Sequence, residues 1–273
     1  MKPTVAIVGI GLIGGSLGQA LRRSKRYRVL GIARRPSTLR DAKRLGAIDA
    51  GSTNLTDVYQ ADMVVIATPV DSIVPIVRQI RPFLKPHAIV TDVGSVKGIL
   101  DQQIRGVRFV GAHPLAGSHK TGVSAARPDL FRGATCVLVP QDPTALKAVR
   151  DMWKTTGAVI LEMSARAHDA AVALTSHLPH LLAHAMVQAA ARQPNQKVLK
   201  ALMAGSFRDA TRVASSDPEQ WVQIFQANLK NLKSSIRLFQ NELNRLSSKL
   251  SRPSLRATLK KSQTYRQPLF NAV

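Results

Sequence analysis

The sequence predicts an α/β fold: a doubly wound, mostly parallel sheet, followed by an all-α segment. Three observations lead there. Short apolar, β-branched runs alternate with helical patterns as far as residue 162, the order that builds parallel strands with crossover helices. The first run passes directly into a glycine-rich turn and then a helix. Past Met163 the strand signal stops and only helical periods remain.

The first strand is TVAIV, residues 4–8. It meets Gly9-Ile10-Gly11-Leu12-Ile13-Gly14 and the helical GSLGQALRRSKR. Strand, GxGxxG and helix in that order define a dinucleotide-binding Rossmann unit. Gly9 makes the tight turn, Gly11 admits a pyrophosphate, and Gly14 packs helix on strand. Leu12 and Ile13 place their amides at the helix start, so all five residues are cofactor-binding candidates. The second strand, residues 27–32, ends in Ala33-Arg34-Arg35. An NAD-binding unit usually carries an acid there for the ribose hydroxyls; two guanidiniums in its place suit a 2′-phosphate and favour NADP over NAD.

ADMVVIATP gives a third strand ending at Thr68-Pro69, a wall for the nicotinamide ribose. Residues 71–84 read as a helix. The strand at residues 88–91 leads into Asp92-Val93-Gly94-Ser95-Val96-Lys97, at the carboxyl edge where open α/β sheets bind ligands, which makes Asp92 a further cofactor-binding candidate. Ser95 is also placed to cap a helix starting at Val96.

A strand at residues 108–111 delivers FVGAHPLAGSHK to the same edge. Pro114 keeps His113 out of the helical region, and an imidazole that titrates near neutrality is a natural general base. Ser118 and His119 follow it. Strands at 135–139 and 158–161, with a helix at 145–156 between them, complete the sheet.

Residues 164–193 are helical by period, interrupted near Pro179, and carry Ser176, His177, His180 and His184. No cysteine or carboxylate joins these histidines on their face, so no metal site is expected. Arg208 and Arg212 lie four apart, an arrangement that grips a carboxylate. Asp217-Pro218 starts a long helix whose apolar stripe runs from Trp221 through Phe225, Leu229, Leu232, Ile236, Phe239, Leu243 and Leu246 to Leu250. That stripe packs on another helix and fits a homodimer interface. Residues 251–273 carry five basic residues and no acid, and are expected to form a loosely held tail. The expected divisions are residues 1–162 for the cofactor, 163–250 for substrate and dimerisation, and 251–273 for the tail.

Composition narrows the classes. The net charge is +23, with ten basic residues against one acid in residues 22–44. This favours anionic ligands, but aromatic content is only 4% and shows no basic–aromatic interleaving, so nucleic acid is not the expected partner. Apolar runs fall short of the roughly 20 residues of a membrane span. The N-terminal apolar run belongs to the glycine motif rather than to an export signal. Cys136 is the only cysteine, so a reducing cytoplasm is expected.

The motifs GIGLIGGSLG, ATP, DVGSVK, GAHPLAG, SHLPH, SFRDATR and SDPEQW stand in this order between about residues 5 and 250. Together they resemble the prephenate/arogenate dehydrogenase family of tyrosine biosynthesis. The resemblance implies a Rossmann domain followed by a helical, dimer-forming domain. It also implies oxidative decarboxylation of prephenate to 4-hydroxyphenylpyruvate, or of arogenate to tyrosine, with hydride passing to NAD(P). By that similarity His113 is the catalytic histidine bonded to the substrate's ring hydroxyl, and Ser95 contacts both. Arg212 binds a substrate carboxylate with Arg208 as a second basic group. Ser176, His177 and His180 line the substrate pocket, and Trp221 lies near it. Many members carry an acid where this chain has His119; with Lys120 beside it, the pocket favours the anionic side chain of prephenate. The rival reading is another NADP-linked Rossmann enzyme with a helical dimer domain, of the β-hydroxyacid dehydrogenase or pyrroline-carboxylate reductase type. Such an enzyme needs no combination of HPLAG, SHLPH and FRDATR.

Overall fold

A computed structural model provides the structure and describes residues 2–118, 120–251 and 253–270. Its contacts divide the chain into two units, Met1–Asn228 and Leu229–Val273.

In the first unit, eight strands among the described residues form one sheet: β1 Thr4–Val8, β2 Arg28–Ile32, β3 Ala50–Ser52, β4 Met63–Ile66, β5 Ile89–Asp92, β6 Arg108–Pro114, β7 Thr135–Pro140 and β8 Val159–Glu162. Their spatial order is β3-β2-β1-β4-β5-β6-β7-β8, parallel except where β6 meets β7. The chain winds outward in both directions from β1, so the switch point lies between β1 and β4, where such sheets bind ligands. Helices α1 Leu12–Arg23, α2 Pro36–Arg44, α3 Val70–Ile80, α4 Gly98–Gln103 and α5 Pro143–Thr155 follow their strands. The inner strands β1, β2 and β4–β7 read as apolar runs because both faces of the sheet are covered there, whereas β3 and β8 at the edges are more exposed. On β1, Val5 and Ile7 join the layer holding Leu17, Phe131 and Trp153, whereas Ala6 and Val8 join that of Ile73, Val77 and Phe109.

After β8 come α6 Ala165–Val172, α7 Leu178–Ala191, α8 Gln196–Leu202, α9 Gly205–Thr211 and α10 Pro218–Ala227. A π turn, Ala173–His177, separates α6 from α7. Pro179 accounts for it: with no N–H to give the Thr175 carbonyl, the ladder widens rather than stops. By length and composition Ala165–Ala191 passes the test for a bilayer span, contrary to expectation. Yet this run buries His168 and Asp169 in polar contacts with the sheet segment.

The second unit consists of α11 Leu229–Ser247 and α12 Ser254–Phe270. Two expectations change here. The single long helix from Asp217 is instead two, because α10 closes at Asn228. There the buried side-chain amide donates to the Asp169 carbonyl at 2.7 Å, a bond that periodicity does not reveal. Residues 251–273, expected as a loose tail, hold α12, built of Leu, Ala, Lys, Arg and Gln with good helix propensity.

Candidate functional site

A cavity of about 440 Å³ opens at the carboxyl ends of β1, β4, β5 and β6. Its walls bring together Gly11, Leu12 and Ile13 of the first turn, Thr68 and Pro69 after β4, Ser95 after β5, and His113 and Ser118 from β6 onward. These pieces lie far apart in sequence, and the parallel sheet gathers them at one edge.

The glycine turn has the shape of a phosphate cradle. Gly9 has φ +96°, and a Cβ there would lie 2.6 Å from the Ala67 carbonyl oxygen. A Cβ on Gly14 would overlap the Gly9 carbonyl oxygen, so α1 can approach β1 only with glycine at that position. A Cβ on Gly11 would meet nothing within 4 Å, and no side chain caps the α1 N-terminus. Uncapped amides with the helix dipole behind them bind anions. Gly9 N donates to Ile32 O at 2.9 Å, tying this turn to the end of β2. Ala33, Arg34 and Arg35 follow there; both arginines are exposed and none of the three lines the cavity.

Asp92 departs from expectation. It is fully buried and faces inward, where it binds Lys97 Nζ at 2.5 Å, Gly94 N at 2.7 Å and Ala112 N at 3.1 Å. With its oxygens so occupied, Asp92 frames the loop rather than meeting a cofactor. Ser95 caps no helix either, because α4 starts at Gly98. The amides of Lys97 and Gly98 go to Asp169 on α6, each at 2.8 Å.

His113 sits on β6 itself, which runs three residues beyond the expected strand end, to Pro114. Its Nδ1 lies 2.8 Å from His168 Nε2, and His168 Nδ1 lies 2.8 Å from Asp169 Oδ1. Burial, then the charges of Lys97, His168 and His177, hold the His113 pKa well below 6.5. The imidazole is therefore a bare base through neutral pH. Burial would raise Asp169, but bonds from His168 and the Lys97 and Gly98 amides outweigh it and keep the carboxyl low.

The remaining candidates stand apart from this cavity. His180 stacks on Trp221 with ring centroids 3.5 Å apart, His177 meets Trp221 edge-on at 6.1 Å, and Trp221 touches Phe225. Burial pushes His177 down to about 4. Ser176, on the π turn, is half-buried, and Arg208 and Arg212 are exposed. None of these residues lines the cavity. Arg208 belongs to α9 whereas Arg212 opens a 3₁₀ turn, so the two do not share one regular helical face. His119 lies outside the described residues. Sequence reasoning missed Asp217, Glu219, Gln220 and Gln223, which close the cavity from the first turns of α10. The SDPEQW motif holds that signal, but from it only Trp221 is expected near the substrate. It also missed His168 and Asp169, which carry no motif of their own.

A doubly wound sheet with a glycine turn and a histidine at its switch-point edge has the architecture of a dinucleotide-binding domain. Residues 17–162 match the family model for the nucleotide-binding domain of prephenate dehydrogenase, and residues 164–261 match its dimerization domain. The chain belongs to the prephenate dehydrogenase family. It is 36% identical over 240 residues to prephenate dehydrogenase of Bacillus subtilis, covering 84% of this chain and 65% of that one. The crystal structure of prephenate dehydrogenase from A. aeolicus with hydroxyphenyl propionate and NAD+ is 35% identical with a TM-score of 0.92, covering 98% and 99% of the two chains. Synechocystis arogenate dehydrogenase is 32% identical with a TM-score of 0.85, covering 97% and 99%.

Proposed function

We propose that this protein catalyses the oxidative decarboxylation of prephenate or arogenate in tyrosine biosynthesis, with NADP as oxidant. The observation that carries the reading is His113, a half-buried neutral base lining the same cavity as Ser95 and the glycine cradle. Family membership supports the reaction class. His113 takes the ring hydroxyl proton as hydride leaves C4 for the nicotinamide, which when bound supplies the hydride acceptor. The ring carboxylate then departs as CO₂, its bond electrons aromatise the ring, and the oxygen recovers its proton from His113. The driving force is aromatisation, so the protein's task is orientation and proton handling. Ser95 is the hydroxyl partner in this scheme, and Gly11, Leu12, Ile13, Thr68 and Pro69 hold the cofactor. Ser118 and the α10 residues line the substrate end. Arg212 and Arg208 supply carboxylate contacts, together with Ser176, His177, His180 and Trp221.

A homodimer and a domain boundary at 162/163 belong to the same proposal. The dimerization-domain match and the exposed apolar Leu174, Met186, Val187, Val198 and Leu202 support the dimer. A cytoplasmic location agrees with the single buried Cys136. The NADP preference rests on Arg34 and Arg35 beside the glycine turn. Replacing both with alanine is expected to raise KM for NADP by about tenfold to a hundredfold, the loss of one or two charge-assisted bonds, and to leave KM for NAD nearly unchanged. Equal effects on the two cofactors would remove the arginines from 2′-phosphate binding.

A further inference from the structure

We propose that Asp169, acting through His168, sets the tautomer of His113: the proton is held on Nδ1, and Nε2, turned away from His168, is left bare to take the substrate proton. The inference rests on His113 being the proton acceptor and explains how it is kept ready.

The argument follows the hydrogen bonds. Asp169 Oδ1 accepts from Lys97 N and Oδ2 from Gly98 N, both at 2.8 Å. Those amides can only donate, so both carboxyl oxygens are committed as acceptors and Asp169 is a carboxylate. Oδ1 also faces His168 Nδ1 at 2.8 Å, so that nitrogen must carry a proton. His168 is fully buried. In an imidazole that carries its one proton on Nδ1, Nε2 is an acceptor. The partner of that nitrogen, 2.8 Å away, is His113 Nδ1, which must therefore donate. An imidazole neutral overall with its proton on Nδ1 has a free lone pair on Nε2.

The groups around His113 agree. Lys97 and Asp92 pair with each other on the β5–α4 segment. His177, on the π turn, faces Asn228 Nδ2 at 3.2 Å. Neither arrangement supplies a competing acceptor for His113 Nδ1. When His113 takes the hydroxyl proton at Nε2, the imidazolium keeps donating to His168, and the Asp169 charge stands behind both rings. When the aromatic oxygen takes its proton back, the chain returns to its starting state. Asp169 and His168 are positioning residues with no substrate contact.

Kinetics and imidazole nitrogen NMR on the full-length protein test this. Asp169→Asn is expected to lower kcat by on the order of 100-fold or more, as wrong-tautomer variants of buried acid–histidine pairs do, with substrate and cofactor KM within about threefold. His168→Gln can accept from His113 through Oε1 and donate to Asp169 through Nε2, so it should keep kcat within about tenfold, whereas His168→Leu should fall as far as Asp169→Asn. In the ¹⁵N spectra His113 should be protonated at Nδ1 in the unaltered protein and at Nε2 in Asp169→Asn. Equal losses in His168→Gln and His168→Leu would overturn the proposal, as would an Nε2-protonated His113 in the unaltered protein. If Asp169→Asn fails to fold, having lost the charge that caps α4, the two His168 variants decide, since both keep Asp169. No turnover of prephenate or arogenate by the unaltered protein would sink the proposed function alone, because the nitrogen spectra read the tautomer without turnover.

Discussion

Replacing His113 with asparagine lowers kcat by about 10²–10⁴-fold, the usual worth of a positioned general base, and leaves cofactor affinity unchanged. Asparagine keeps a polar group near His168 but cannot carry a proton between substrate and product. The cofactor cradle of Gly9, Gly11 and Gly14 lies on β1 and α1 and does not depend on the histidine. The same residue fixes a pH signature. Burial first, and Lys97, His168 and His177 next, push the His113 pKa down, so acid must go well below 6.5 before the base is lost. The acid limb of kcat/KM is therefore expected well below 6.5 and should vanish in His113→Asn. Steady-state kinetics across pH, with cofactor titration by fluorescence, check both. Undiminished turnover in the variant would remove His113 from proton transfer.

Lys97→Met is expected to destabilise the fold by about 3–5 kcal/mol, the cost of leaving one member of a buried ion pair without the other. Lys97 and Asp92 have side chains 1% and 0% exposed and lie 2.5 Å apart. Removing the ammonium leaves the Asp92 carboxylate with only the Gly94 and Ala112 amides. Asp92→Asn added to Lys97→Met neutralises both groups and should recover much of the loss. Lys97 is also one cause of the low His113 pKa, so its removal should move the acid limb of activity upward. Urea unfolding of the single and double variants measures the first effect. A loss under about 1 kcal/mol in Lys97→Met would show that the pair contributes little.

The sheet and the edge carrying the site were readable because their signals are local. Apolar runs punctuated by glycine specify strands and turns, and the glycine motif and Pro114 restrict the backbone where they stand. What escaped depends on partners distant in sequence. Asp92 looked like a cofactor contact because it closes a strand, but Lys97 and two amides claim it. Ser95 looked like a helix cap, whereas Asp169, 72 residues beyond Lys97, holds that helix start. The stripe from Trp221 to Leu250 keeps its period through Asn228, where α10 ends and the buried side-chain amide bonds Asp169 O. Helical period reports which face is apolar, not which polar group will be captured in the interior. The tail was read from its charge, although Leu, Ala and Lys already favour a helix.

The most direct measurement is the initial rate of reduced-nicotinamide formation, followed by its near-ultraviolet absorbance, with prephenate and arogenate each paired with NADP and NAD. The predicted result is turnover in at least one NADP mixture, faster than with NAD, and one equivalent of CO₂ per reduced nicotinamide. Silence in all four mixtures from a protein that still binds NADP would contradict the account, as would hydride transfer without loss of CO₂.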